Sequence, residues 1–322
     1  MVESGTGAPA GNTWDTEIDE SGAFVRRPTS FHSKVEAADG APFPAEAGRY
    51  HLYVSYACPW AHRTLIARKL KGLEGALGFD VVDPILPSGG WAFERTAPGA
   101  TGDRVNGFRS LRDVYLATDP DYDGRITVPV LWDKKSGRIV NNESAEILRM
   151  LNAEFQEFAE RPEMDLYPEP LRERIDALNE WIYPQINNGV YRCGFARTQR
   201  AYGEAFRELF DALDRAEAIL ARSRYLAGKR LTEADLRLFT TLVRFDAVYV
   251  THFKCNLRRI VDYPNLWAYT RDIYALPGVR ETVNMEHIKR HYYESHRQIN
   301  PLGIVPEGPR LDFEAPHDRA RL

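Results

Sequence analysis

Between residues 50 and 73 the rhythm of apolar and polar positions changes once. From His51 to Tyr56 (H-L-Y-V-S-Y) the two kinds alternate among β-branched and aromatic residues, which predicts a strand. From Trp60 onward Ala61, Leu65, Ile66, Leu70 and Leu73 recur at helical spacing. Pro59 stands between the two, where its missing N–H suits the first turn of a helix. Phe79–Ile85 (F-D-V-V-D-P-I) predicts a second strand, parallel to the first through the crossover helix. Thr127–Asp133 (T-V-P-V-L-W-D) predicts a third. Pro129 inside it cannot donate to a ladder, so it implies a sheet edge or a special turn with a cis bond. K-K-S-G then turns the chain into a fourth strand, Arg138–Asn141, and Ala145, Ile147, Leu148 and Leu151 mark a following helix.

Residues 86–126 carry no period and many Gly, Pro and Asp. A loop of that length is expected to be functional, with Trp91 and Phe93 facing a ligand or else packed on the N-terminal arm. Beyond Leu171 the period is helical almost throughout. Leu171–Tyr183 predicts one helix, ending near Pro184 and Gly189, and Gln199–Ala221 a second. A third starts at L-T-E-A-D-L, with Thr232 as cap, Asp235 closing a capping box, and Leu231 and Leu236 stapling the turn. Pro264–Leu276 and Thr282–Ser295 complete the set. The fold class is therefore α/β plus all-α: a thioredoxin-like domain over 50–153, a linker over 154–170 and a helical domain over 171–297. An irregular arm, 1–49, precedes them with Trp14, Phe24 and Phe31 as anchors, and a Pro/Gly-rich tail, 298–322, comes last.

The 322-residue length accommodates two domains, and 43% hydrophobic with 27% charged residues is ordinary for a soluble protein. A net charge of −4 argues against nucleic acid or an anionic membrane as partner. No apolar run reaches membrane-spanning length, and M-V-E-S-G-T-G-A-P-A-G-N has neither the basic nor the apolar region of a signal. Cysteines at 58, 193 and 255 make no disulfide framework, so a reducing, cytoplasmic setting is expected.

Cys58 is where chemistry is expected. It precedes the first helix, where unpaired N–H groups and the helix dipole predict a thiol pKa lowered from roughly 8.5 toward neutrality. The second position of a C-x-x-C motif is occupied by Ala61, so a mixed disulfide on Cys58 needs an external thiol, such as glutathione, to release it. The plain alternative is a small buried hydrophobe. His62 and Arg63 lie one turn into the helix, with Arg63 expected on a solvated face. Asn142, Glu143 and Ser144 precede a helix and either cap it or bind a carboxylate there. Tyr191, in what reads as a Gly-bounded break between helices (N-N-G-V-Y-R-C-G-F), joins Tyr292 and Tyr293 as candidates to stack on an aromatic substrate and bond its hydroxyl. Amphipathic surface tyrosines are the alternative. His287, His291 and His296, with Glu286 and Glu294, lack H-E-x-x-H spacing, so a hydrogen-bonding role and no metal are expected.

The stretches A-C-P-W-A-H-R, V-P-V-L-W-D, N-E-S-A-E-I and N-N-G-V-Y-R-C-G-F-A resemble the Xi class of glutathione transferases, the glutathionyl-hydroquinone reductases. L-T-E-A-D-L-R-L, R-F-D-A-V-Y-V-T-H-F-K-C and the terminal I-N-P-L-G-I extend the resemblance along nearly the whole chain. L-T-E-A-D is common to many transferases; C-P-W-A-H-R with the tail motifs is more specific. The resemblance implies Cys58 as nucleophile and Val128, ahead of a cis-Pro129, as backbone partner of the cysteinyl part of glutathione. It implies Glu143 and Ser144 at the γ-glutamyl end, Trp91 over the tripeptide, Tyr191 and Tyr292 around a hydroquinone, and a homodimer. Cys193 is an extra thiol beside Tyr191 with no role assigned. Three rivals remain: a conjugating transferase, which Cys58 argues against, a glutaredoxin-like deglutathionylase, and a non-catalytic ligand-binding protein of the same fold.

Overall fold

The structure is a computed structural model that describes residues 17–322 apart from Asp39 and Ser88; Trp14 lies outside the described residues. Strand β1 (Tyr50–Val54) leads through a short turn into helix α1 (Pro59–Lys71), with Cys58 as its N-cap and Gly72 closing it in the left-handed conformation. Strands β2 (Gly78–Val81), β3 (Val130–Asp133) and β4 (Arg138–Asn141) complete a sheet of order β2-β1-β3-β4. Only the β1–β2 pair is parallel; Leu52 stands between Phe79 and Leu131 in register. All residues of β1 and β3 are buried, because both faces of the sheet are covered.

Three strands are shorter than their sequence pattern, β1 ending at Val54 rather than Tyr56. β2 stops at Val81, and Asp83 turns away to accept the backbone N–H and the hydroxyl of Thr96. Pro129 precedes β3, which is an inner strand, so the turn with a cis Val128–Pro129 bond is present and the edge is not.

Residues 86–126 are not one long loop. Helix α2 (Leu111–Thr118) lies in them, started by a capping box between Ser110 and Asp113. Asp80 and Asp103 tie the remainder to the sheet by accepting backbone N–H groups of Arg104, Val105 and Phe108. Carboxylates therefore do the ordering that a hydrophobic period does elsewhere. Helix α3 (Ser144–Ala153) comes after β4 and packs beside α1.

The helical domain begins with α4 (Arg172–Trp181), which does not break at Pro184. It runs through a π-helical turn, Ile182–Asn187, into α5 (Gly189–Phe195), so Tyr191 sits on a helix rather than in a break. Helices α6 (Gln199–Leu220), α7 (Glu233–Arg244), α8 (Pro264–Tyr274) and α9 (Met285–Ser295) complete it, α9 starting at the Asn284 cap rather than at Thr282. A second π-helical turn, Phe245–Tyr249, extends α7. Every residue of α7 is buried, and α1 packs on it across the domain seam. Asp235 accepts bonds from Thr232 N–H, the Thr232 hydroxyl, Leu226 N–H and Tyr269, while its burial pushes the carboxyl up to about 6. Glu233 binds Arg149 of α3, Arg237 and Asn179, which pins the two domains together. The arm spans both: Phe24 packs on Phe195, and Phe31 on Tyr115 and Tyr122.

Candidate active site

On the sheet side, backbone groups surround the sulfur. Cys58 is partly buried; its Sγ accepts from Ala61 N–H at 3.5 Å and donates to the Val128 carbonyl at 3.5 Å. Glu143 caps α3 by accepting Ala145 N–H at 3.1 Å, and its second oxygen accepts the Thr29 hydroxyl of the arm at 3.3 Å. Ser144 accepts from Arg63 at 3.4 Å. Arg63 is buried, not solvated: α1 is covered by α3 on one side and α7 on the other, and the guanidinium spans to Asn187 at 2.8 Å. Burial lowers it to about 10. Trp91 is buried with its ring stacked on His291 of α9, 4.8 Å between centroids, and Phe93 packs on Tyr53.

On the helical side, three phenols meet. Tyr292 places its hydroxyl 2.5 Å from that of Tyr191 and 3.0 Å from that of Tyr249. All three are buried, and burial pushes Tyr249 up to about 12 and the other two well above the usual phenol value. They are therefore protonated near neutrality and able to donate. The Trp60 ring of α1 lies 5.0 Å from that of Tyr191. The Arg26 guanidinium covers both, 4.1 Å from the Trp60 ring and 4.9 Å from the Tyr191 ring, and donates to Asn188 at 2.8 Å. Tyr293 is not part of this group; its hydroxyl donates to the Ala247 carbonyl.

Tyr249, Trp60 and Arg26 have no distinguishing mark in the sequence. Tyr249 lies inside R-F-D-A-V-Y-V, but only the π-helical turn brings it round to Tyr292, and Arg26 belongs to an arm without period.

The thiol departs from expectation. Burial raises Cys58, against the opposing pull of the Ala61 and Trp60 N–H groups and of Arg244 and Arg26. The helix start alone does not make it a thiolate, because desolvation penalises the charged form more than two long N–H contacts favour it. Cys193 and Cys255 are buried beside one another, and burial together with that neighbour pushes Cys255 well up. Among the histidines, His287 bonds the Pro98 carbonyl and His291 the Pro84 carbonyl, both at 2.9 Å. Among the described residues no group of three His, Cys, Asp or Glu is placed to hold a metal.

A small mixed sheet with a cysteine at the head of its first helix, joined along that helix to an all-helical domain, is the architecture of the glutathione transferases. Family models agree: residues 57–154 match the glutathione S-transferase N-terminal domain and 197–272 the C-terminal domain. The glutathionyl-hydroquinone reductase YqjG of Escherichia coli K12 is 53% identical over 96% of this chain and 95% of its own. PcpF of Sphingobium chlorophenolicum, with the same activity in its name, is 49% identical over 92% and 93%. The glutathione-bound structure of YqjG superposes with a TM-score of 0.88 over 90% of this chain and 96% of that one. The glutathione transferase Xi of Phanerochaete chrysosporium gives 0.90 at 53% identity, over 94% and 97%. The chain belongs to the glutathione transferase family, in its Xi class.

Proposed function

We propose that this protein reduces glutathionyl-hydroquinones to hydroquinones at the expense of glutathione. The observation that carries the proposal is one partly buried sulfur within electrostatic reach of the clustered, protonated phenols of Tyr191 and Tyr249, with Ala61 rather than a second thiol three residues on. The Cys58 thiolate attacks the sulfur of the conjugate, the carbon–sulfur bond breaks, and the hydroquinone carbon takes a proton. Tyr191 or Tyr292 supplies that proton and holds the ring hydroxyls. Cys58 is left joined to glutathione; a second glutathione thiolate attacks that disulfide, giving oxidised glutathione and free enzyme.

In this scheme the Val128 backbone pairs with the cysteinyl part of glutathione, and Glu143 and Ser144 hold the γ-glutamyl end. Trp91, held by its stack on His291, packs over the tripeptide. The catalytic unit is 50–153, the substrate unit 171–297 with 154–170 between them, and the working form is a cytoplasmic homodimer. No helix among the described residues is long and apolar enough to cross a membrane.

The test is intact-protein mass spectrometry after adding a glutathionyl-hydroquinone without free glutathione. A glutathione adduct on Cys58 with stoichiometric hydroquinone release is expected. Thioether formation would favour a conjugating transferase, an adduct obtained only from glutathionylated protein a deglutathionylase, and no reaction a binding protein.

A further inference from the structure

The raised thiol leaves a question of charge: what stabilises the sulfur when it must become an anion? Arg244, the last residue of α7, is fully buried directly behind the Cys58 turn. Its Nε donates to the Ala57 carbonyl at 2.9 Å and its Nη2 to the Tyr56 carbonyl at 2.8 Å, the two residues preceding Cys58. Its Nη1 donates to the Thr240 carbonyl at 2.6 Å and to His62 Nδ1 at 3.0 Å. That last bond fixes the imidazole with its proton on Nε2, which reaches the Thr282 hydroxyl at 2.8 Å; Thr282 in turn donates to the Val279 carbonyl. Burial holds His62 far below its usual value, so all of these partners are neutral.

Arg68 and Arg319 also donate to backbone carbonyls, but the other buried arginines each have a carboxylate in their field: Glu143 for Arg63, Glu74 for Arg68, Glu233 for Arg237 and Asp272 for Arg319. Among the groups that feel the charge of Arg244 are Cys58, Tyr249 and Tyr292, neutral at rest and capable of becoming anions, and the histidines His62 and His291. A guanidinium cannot shed its proton to escape burial, so a site that holds it among neutral acceptors is set up for an anion that appears later.

We propose that Arg244 is a positioning residue of the reaction: a buried positive charge, carried by the helical domain, that clamps the Cys58 turn and stabilises the negative charge forming on the Cys58 sulfur. The inference rests on the proposed role of Cys58 as nucleophile. Arg26 from the arm and Arg63 from α1 also face the sulfur, as do the phenols of Tyr191 and Tyr249. Arg26 is the only one of the three arginines that is not fully covered, which gives the test a handle.

The experiment tracks iodoacetamide alkylation of Cys58 against pH by mass spectrometry in the parent, R244Q and R244K, with near-UV circular dichroism as the check of fold. Glutamine keeps a donor for the carbonyls but not the charge; lysine keeps the charge. R244Q is expected to raise the alkylation midpoint by about one pH unit, about tenfold less thiolate at neutral pH, and R244K to stay within about threefold of the parent. A folded R244Q with the parent's midpoint, or an R244K that behaves like R244Q, overturns the proposal. Should R244Q not fold, the parent can still overturn the proposal. A buried charge is unscreened, so the midpoint should hold from low to molar salt; an upward drift would assign the effect to Arg26 and overturn the proposal. Hydroquinone turnover is read separately: a parent that alkylates as described but releases no hydroquinone sinks the proposed function and leaves the role of Arg244 standing.

Discussion

The two sides of Cys58 are built by opposite means. The sheet side is assembled from backbone groups and a helix cap, two of them local in sequence, Ala61 N–H on Cys58 and Glu143 on Ala145 N–H, and one, the Val128 carbonyl, brought in by the sheet. The helical side is assembled from side chains remote in sequence: Tyr191, Tyr249 and Tyr292 come from three different elements and meet at their hydroxyls. The first arrangement suits an invariant ligand with a peptide backbone, such as glutathione; the second suits a dry aromatic ring whose identity it selects. Under the proposed function adduct chemistry belongs to one side and proton delivery to the other, and the contrast can be broken in either place.

The largest effect is expected from Cys58→Ala. Glutathione adduct and hydroquinone release should both vanish, a loss on the order of a thousandfold or more in kcat/KM. Turnover surviving in that variant would end the division of labour. Next comes Tyr292→Phe, which removes the hydroxyl shared by the other two phenols. It should lower kcat roughly a hundredfold while Cys58 still takes up glutathione from oxidised glutathione at the parent rate. Equal damage to both measurements would mean that the two sides are not separable. Glu143→Gln should act in reverse, raising KM for glutathione about tenfold with kcat little changed, since it weakens charge-assisted bonds on the sheet side alone.

The smallest effect concerns the arm. His32 bonds the Thr29 carbonyl and Glu146, and these raise its pKa above the usual value. The protonated form is therefore favoured in the folded state. Its contribution is complete below the ordinary histidine pKa and is lost as pH rises through the raised value. Because Thr29 donates to Glu143, glutathione affinity should fall a few-fold between about pH 6 and about pH 8 in the parent and stay level in H32Q, measured by calorimetry. Parallel pH profiles for the two proteins would remove the arm from the sheet side.

Legibility in the sequence divides along the same line. The β1–α1 unit, the turn at Val128–Pro129 and the caps at Glu143 and Thr232 come from local rules, and the chain announces them. Helix α2 is hidden because it has only eight residues and starts from a capping box inside a Gly- and Asp-rich stretch. Arg63 reads as solvated because α1 shows one apolar stripe, whereas the structure covers the opposite side with α7. The Cys58 thiol shifts opposite to its sequence expectation for a related reason: the dipole of α1 is a local property, and the burial that outweighs it comes from tertiary packing. Tyr249 and Arg244 belong wholly to that second, non-local category.

The widened turns at Ile182–Asn187 and Phe245–Tyr249 carry a consequence for how this bundle can change over time. Each one offsets the angular phase of the downstream residues by about 100°, the step of a single helical residue. Loss of one codon in either turn would swing Tyr191 or Tyr249 away from its companions while every helix kept its composition. If these phenols line the substrate site as proposed, substrate range in such a scaffold is adjustable by indexing, one notch at a time, without replacing a single lining side chain.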